Sequence, residues 1–172
     1  AIQQAAAETA ATTGLQSLSP SLTSLIINAR SSAKVQVAAL NALARIKVSG
    51  RGATARKALQ SKHSPVRAAA LNLVVNLGGD DAANLVAAAL KKGTRLEQQL
   101  ALTALGQMNT PETDALLAKH MELAIAGESL DGCLLELLQS SKARAAASTT
   151  NRLSALLRRY ESSKPSNQPL LQ

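Results

Sequence analysis

Apolar residues recur along this chain at three- and four-residue spacings, and the arrangement is itself repeated. From Ser64 to Gly78, the residues Val66, Ala70, Leu73, Val74 and Leu77 form one stripe at helical period. Ser64 is a helix-capping type, and Pro65 suits a first turn, where its missing N–H has no intrahelical partner. Gly78 and Gly79 supply the left-handed geometry that a helix stop often needs. A helix over Pro65–Leu77 is therefore predicted. The segments Ala39–Ile46, Ala70–Leu77 and Ala101–Met108 carry the same pattern, with Leu40, Leu71 and Leu102 spaced by 31 residues. A weaker copy lies at Ala6–Thr13 and a degenerate one at Gly132–Leu138. Gln3, Gln36, Arg67 and Gln98 hold one equivalent polar position near the start of each copy. No such helix hides its stripe alone, so a fixed repeat of this length predicts stacked units, an α-solenoid.

Between the copies the periodicity predicts partner helices. Ile2–Thr13 reads as a helix stopped by Gly14, and Leu15–Pro20 as a turn. Ser21–Ala29 pairs with Ala33–Lys47, and Ala53–Ser61 with Pro65–Leu77, across a glycine-bearing loop at Val48–Gly52. Asp81–Lys91, capped by Asp80, pairs with Thr94–Gln107. Thr110 caps a helix that has Pro111 at its first position and runs to Ala126. Leu130–Ser140 follows, then a longer closing helix over Ala143–Tyr160 with Leu153, Leu156 and Leu157 as its stripe. Residues 1–161 read as one repeat domain, and Ser162–Gln172, with two prolines, as an extended linker.

The Pro65-Val66-Arg67 opening and the paired helices resemble short HEAT-like repeats of the phycobilisome-lyase type, from Ile2 to about Leu138. The resemblance implies an all-α, right-handed solenoid of about four helix pairs plus a C-terminal helix. It says little about chemistry. The tail, Leu134–Leu138 followed by Leu153–Glu161 and a polar stretch, is similar to the junction before the cytochrome domain of large bacterial membrane-bound dehydrogenases. That likeness implies a spacer between a propeller and a cytochrome, in a periplasmic or secreted setting. The haem-attachment signature is absent from this sequence.

Composition narrows the options. Phe and Trp are absent and Tyr160 is the only aromatic, so close helix contacts through alanine and leucine replace aromatic anchors. The net charge of +8 is unevenly spread. Nine Lys or Arg and no acid lie between Arg30 and Arg67, while Asp80–Glu136 holds nine acids against four bases. Within the basic run Arg45, Lys47, Arg51, Arg56, Lys57, Lys62 and Arg67 are the candidate contacts to a polyanion. The lack of aromatic stacking platforms argues against single-stranded nucleic acid. A solvated surface is the plainer alternative.

Catalytic chemistry finds no support. His63 and His120 lack partners at metal-ligand spacing and read as surface residues. Glu112, Asp114, Asp80 and Asp81 stand at helix starts, where the dipole favours them. No nucleophile elbow, triad or phosphate loop is present, and no cofactor or metal is expected. Cys133, the only cysteine, sits among leucines as a buried apolar residue. No stretch reaches membrane-spanning length or resembles a signal peptide. The chain opens on the second helix of a pair, which reads as a piece of a larger polypeptide.

One polar pattern remains. The repeat places Glu8, Asn41, Asn72 and Thr103 at one position, and Thr12, Arg45, Asn76 and Gln107 one turn further on. Ala5, Ala38 and Ala69 precede them by a turn, with Leu100 in the fourth copy. Amides donate and accept, so a row of them can pair with an extended backbone. Armadillo proteins use asparagine ladders in that way, and the resemblance is one of architecture. The alternative is that these residues are the solvated side of each helix. The expected function is non-catalytic: a scaffold that binds protein or a neighbouring domain of the same chain, with Asn41, Arg45, Asn72, Asn76, Thr103 and Gln107 as contacts.

Overall fold

The computed structural model describes residues 5–6, 16–79, 81–147 and 151–163, and the described residues contain helices and no strand. Two units divide within one helix, the first comprising residues 1–85 and the second residues 86–172.

In the first unit a short 3-10 turn at Gln16–Leu18 leads into α1 (Ser19–Ile27), α2 (Ala33–Arg45), α3 (Arg51–Ala58) and α4 (Ser64–Leu77). α2 packs against α1 and α4, and α3 packs against α4 and α1. Leu22, Ile26, Leu40, Leu43, Val66 and Val74 are among the residues of the shared core. Ser32 caps α2, its hydroxyl accepting from Val35 N–H at 3.4 Å. Gly50, φ 80°, starts α3, and Gly78, φ 65°, ends α4. Both take a positive φ that glycine tolerates, Gly50 in the left-handed helical region and Gly78 with an extended ψ of 152°.

α5 (Ala82–Lys92) spans the division, with Leu85 against the first core. The second unit continues with α6 (Arg95–Gln107), α7 (Pro111–Ile125), α8 (Leu134–Ala147) and α9 (Arg152–Ser163). α6 packs on α8 and α7, while α9 closes over α7 and α8. The approach of α6 to α8 is tight: a Cβ on Gly106 would lie 2.9 Å from Ser140 Oγ. Thr110 caps α7 as its sequence predicts, accepting from Thr113 N–H at 3.3 Å. α6 is closed by a capping box, in which the Glu97 carboxylate accepts from Thr94 N–H at 2.9 Å and from its hydroxyl at 2.7 Å.

The 31-residue register is visible in burial. Ala39, Ala70 and Ala101 are all 0% exposed. Leu40, Leu71 and Leu102 are buried, as are Leu43, Val74 and Leu105. Asn41, Asn72 and Thr103 are exposed, as are Arg45, Asn76 and Gln107. At about 100° per residue, Val66, Ala70, Leu73 and Val74 form one side of α4. Ala68, Leu71 and Val75 form a second buried side, and Asn72 and Asn76 occupy the exposed third.

Among the described residues, the polar position near the start of three copies has a common structural task. Gln36 Nε2 donates to Ile26 O at 2.9 Å and to Asn28 O at 3.2 Å, at the end of α1. Arg67 Nη1 donates to Ser61 O at 2.8 Å, just past α3, and Gln98 Nε2 to Leu90 O at 3.1 Å, near the end of α5. Helix ends leave carbonyls without intrahelical donors. In three copies the following helix supplies one from the same register.

Several boundaries differ from expectation. α1 starts at Ser19 and ends at Ile27, with Pro20 inside its first turn. α3 is Arg51–Ala58, so Gly52 belongs to the helix and not to the loop before it. His63, without a side-chain bond, takes the cap position of α4 that Ser64 was expected to hold. The helix expected over Leu130–Ser140 is α8, Leu134–Ala147, so Gly132, φ 64°, and Cys133 of the degenerate copy lie in the connector before it. The closing helix over Ala143–Tyr160 is two helices, with Asn151 outside both. Asn151 O accepts from Ala155 N–H at 3.0 Å, as at the start of a new helix. Ser162 and Ser163 extend α9, so the linker does not begin there. Apart from helical Ala5 and Ala6, the opening helix, Gly14, Asp80 and the linker from residue 164 lie outside the described residues.

Candidate protein-binding surface

The expected contact residues occupy the exposed sides of three helices. Asn41 and Arg45 lie on α2, Asn72 and Asn76 on α4, all in the first unit. Thr103 and Gln107 hold the same register on α6 of the second unit. Asn76 Nδ2 donates to Asn72 Oδ1 at 3.3 Å, so these two amides meet across one turn. The Thr103 hydroxyl donates to Gln99 O at 3.0 Å, within its own helix, and keeps only acceptor capacity. Ala38, Ala69 and Leu100 are half-buried beside the polar positions, and Leu96 is 40% exposed. Glu8 and Thr12 lie outside the described residues.

The seven cations proposed for a polyanion divide by what they touch. Arg56 forms a two-pronged pair with Asp81, at 2.9 and 2.7 Å. Its hydrogen bonds hold the Asp81 carboxyl below the usual range. Arg51 donates to Ala44 O and Ile46 O at 3.4 and 3.3 Å, and Arg67 to Ser61 O. Those three serve the fold. Arg45, Lys47, Lys57 and Lys62 are exposed.

Lys57 and Lys62 border a pocket of about 390 Å³ in the first unit. Its walls come from the ends of α1 and α3, the loop Gln60–His63, and Gln36 of α2. These walls are brought together from separate segments, which leaves little trace of the pocket in any one of them. The recurring polar residue among buried positions was the one available signal.

No family model, curated protein or solved structure matches the chain. Its own residues therefore carry the functional reading. Among the described residues no three His, Cys, Asp or Glu gather to hold a metal, and no helix is long and apolar enough to cross a membrane.

Both histidines are half-buried, not exposed. His63 lines the first-unit pocket. His120 borders a void of about 10 Å³ beside Leu102, Cys133 and Leu137, at most the room for one water. Cys133 is 1% exposed, and burial pushes its thiol up, away from the reactive thiolate.

Burial, and then the charge of Lys119, hold the His120 imidazole below its ordinary value. The folded chain then binds this proton more weakly than the unfolded chain. His120's contribution is complete above about pH 6.5 and declines as pH falls below that value. Thermal melts at about pH 7.5 and about pH 5.5 check this, above the range where carboxylates titrate. His120→Gln is expected to lose less melting temperature over that interval than the native chain. An equal loss would assign the pH dependence elsewhere.

Proposed function

We propose that the chain is a non-catalytic scaffold of HEAT-like helix pairs, continued as a right-handed α-solenoid, that binds an extended segment of a protein or a neighbouring domain. The carrying observation is the shared register: three helices hide the same positions and leave the same two polar positions exposed. The repeated bond from Gln36, Arg67 and Gln98 to the preceding helix supports one unit copied three times. Asn72 and Asn76 use one donor and one acceptor on each other and retain the remainder for a partner backbone.

The test begins with peptides selected from a random display library against the intact chain. Their affinity is then measured for the Asn41→Ala, Asn72→Ala double variant. Two lost hydrogen-bonding side chains are expected to weaken binding by about tenfold or more. Exposed asparagines leave the fold unaffected, so the melting temperature should stay within a degree or two. Unchanged affinity for every selected peptide removes the asparagine row from the interface.

A further inference from the structure

We propose that the first-unit pocket takes a carboxylate of an acidic peptide, with an aliphatic residue of the same peptide packed beside it. This deepens the scaffold reading and rests on it, since it names the class of partner.

Charge carries the first part. Lys57 and Lys62 are exposed at the pocket, and among the described residues no Asp or Glu lines it. Neither lysine pairs with a carboxylate among the described residues. The helix ends that build the pocket oppose an anion, each with about half a negative charge. Those ends are already answered: Gln36 donates to Ile26 O and Asn28 O, and Arg67 donates to Ser61 O. Two whole positive charges then outweigh the residual dipoles, and the pocket favours an anion.

Shape and polarity carry the second part. Ile26 and Ala58 give an apolar surface, and Ile27 is 44% exposed, one of few large apolar side chains in that state. A simple inorganic anion has no use for that surface. About 390 Å³ lies within the size range of ligand pockets and exceeds the needs of a lone ion.

The third part is an unmet hydrogen bond. Gln36 is 6% exposed and lines the pocket, and its Oε1 has no partner. The amide orientation is fixed, because turning it would set Oε1 against two carbonyl oxygens. Buried acceptors are normally satisfied. Oε1 is itself shielded from solvent, so a peptide N–H reaches it only where Gln36 gives up a bond to Ile26 O or Asn28 O. A site for a carboxylate beside an aliphatic group describes an acidic peptide better than a nucleic acid or a free anion.

Titration of the full chain by amide NMR tests the proposal. The probes are a blocked peptide alternating leucine and glutamate, its leucine–glutamine counterpart, the glutamine peptide with a free C-terminal carboxylate, and heparin. The expected result is millimolar or tighter binding of the glutamate peptide, with shifts at Ile27, Lys57, Lys62 and the Gln36 side-chain amide. The internally neutral, blocked glutamine peptide should bind at least about tenfold more weakly. Comparable binding by the free-carboxylate peptide would assign the site to chain termini, and its absence to acidic side chains. Lys57→Glu with Lys62→Glu is expected to weaken the glutamate peptide by about tenfold or more. Ile27→Ala should weaken it less, and Asn41→Ala with Asn72→Ala should not change it. Equal binding of both blocked peptides, no shifts at the pocket, or heparin binding through Arg45 and Lys47 alone would overturn the proposal. Loss of pocket binding with an intact asparagine-row interaction rejects the pocket and leaves the scaffold reading standing.

Discussion

Arg144→Ala is expected to reduce the unfolding free energy by about 3–5 kcal/mol, the usual consequence of removing one partner from a buried ion pair. Arg144 Nε donates to Asp114 Oδ1 at 2.9 Å, and its Nη1 donates to Asn109 Oδ1 at 2.9 Å. Only 5% of the arginine side chain and 17% of the aspartate side chain are exposed. Alanine leaves the Asp114 carboxylate shielded from water without this cation, and the α8 surface without the guanidinium that fills it. The pair joins α8 to the first turn of α7, so its loss loosens the second unit. Urea denaturation measures the effect. A change below about 1 kcal/mol would make the pair equivalent to a surface salt bridge. Adding Asp114→Leu to Arg144→Met should recover much of the loss, because apolar replacements of similar volume remove the carboxylate together with its cation.

Ala70→Lys is expected to destabilise the chain by more than about 4 kcal/mol, in the exceptional range for one substitution. Ala70 is 0% exposed on α4 and belongs to the first core with Leu43, Val66 and Val74. A lysine there needs space for four methylenes and brings an ammonium with no partner. Overpacking and the burial of an unpaired charge act in the same direction. Two positions on, Asn72 is exposed, and Asn72→Lys should stay within about 0.5 kcal/mol of the native chain. The contrast measures how sharply one helix separates its hidden and open sides.

The parts of this fold that depend on local periodicity were readable in the sequence. Leu40, Leu71 and Leu102 share a spacing, and the same spacing returns in their burial, because a helix turns each residue by a constant angle. Thr110 and Gly78 behaved as their chemistry requires, since a cap hydroxyl and a positive φ are local properties. Periodicity carries no information about connector length, so the extra residues before Leu134 hid the true start of α8. Arg144 stands in an alanine-rich stretch, and its partners are 30 and 35 residues away, beyond the reach of any local pattern. The polar side of the three helices was legible position by position. The pocket was not, because Ile27, Gln36 and Lys62 each look ordinary in their own segments and gain meaning only when folded together.

We infer that one 31-residue unit recurs in this chain with its hidden and open positions intact. Urea unfolding of six single lysine variants decides this: Ala39, Ala70 and Ala101 on the hidden side, Asn41, Asn72 and Thr103 on the open side. The expected result is two groups, with the three alanine variants destabilised by more than about 4 kcal/mol and the other three within about 0.5 kcal/mol of the native chain. A result in which the copies disagree, with Ala101→Lys tolerated or Asn41→Lys disruptive, would contradict a shared unit.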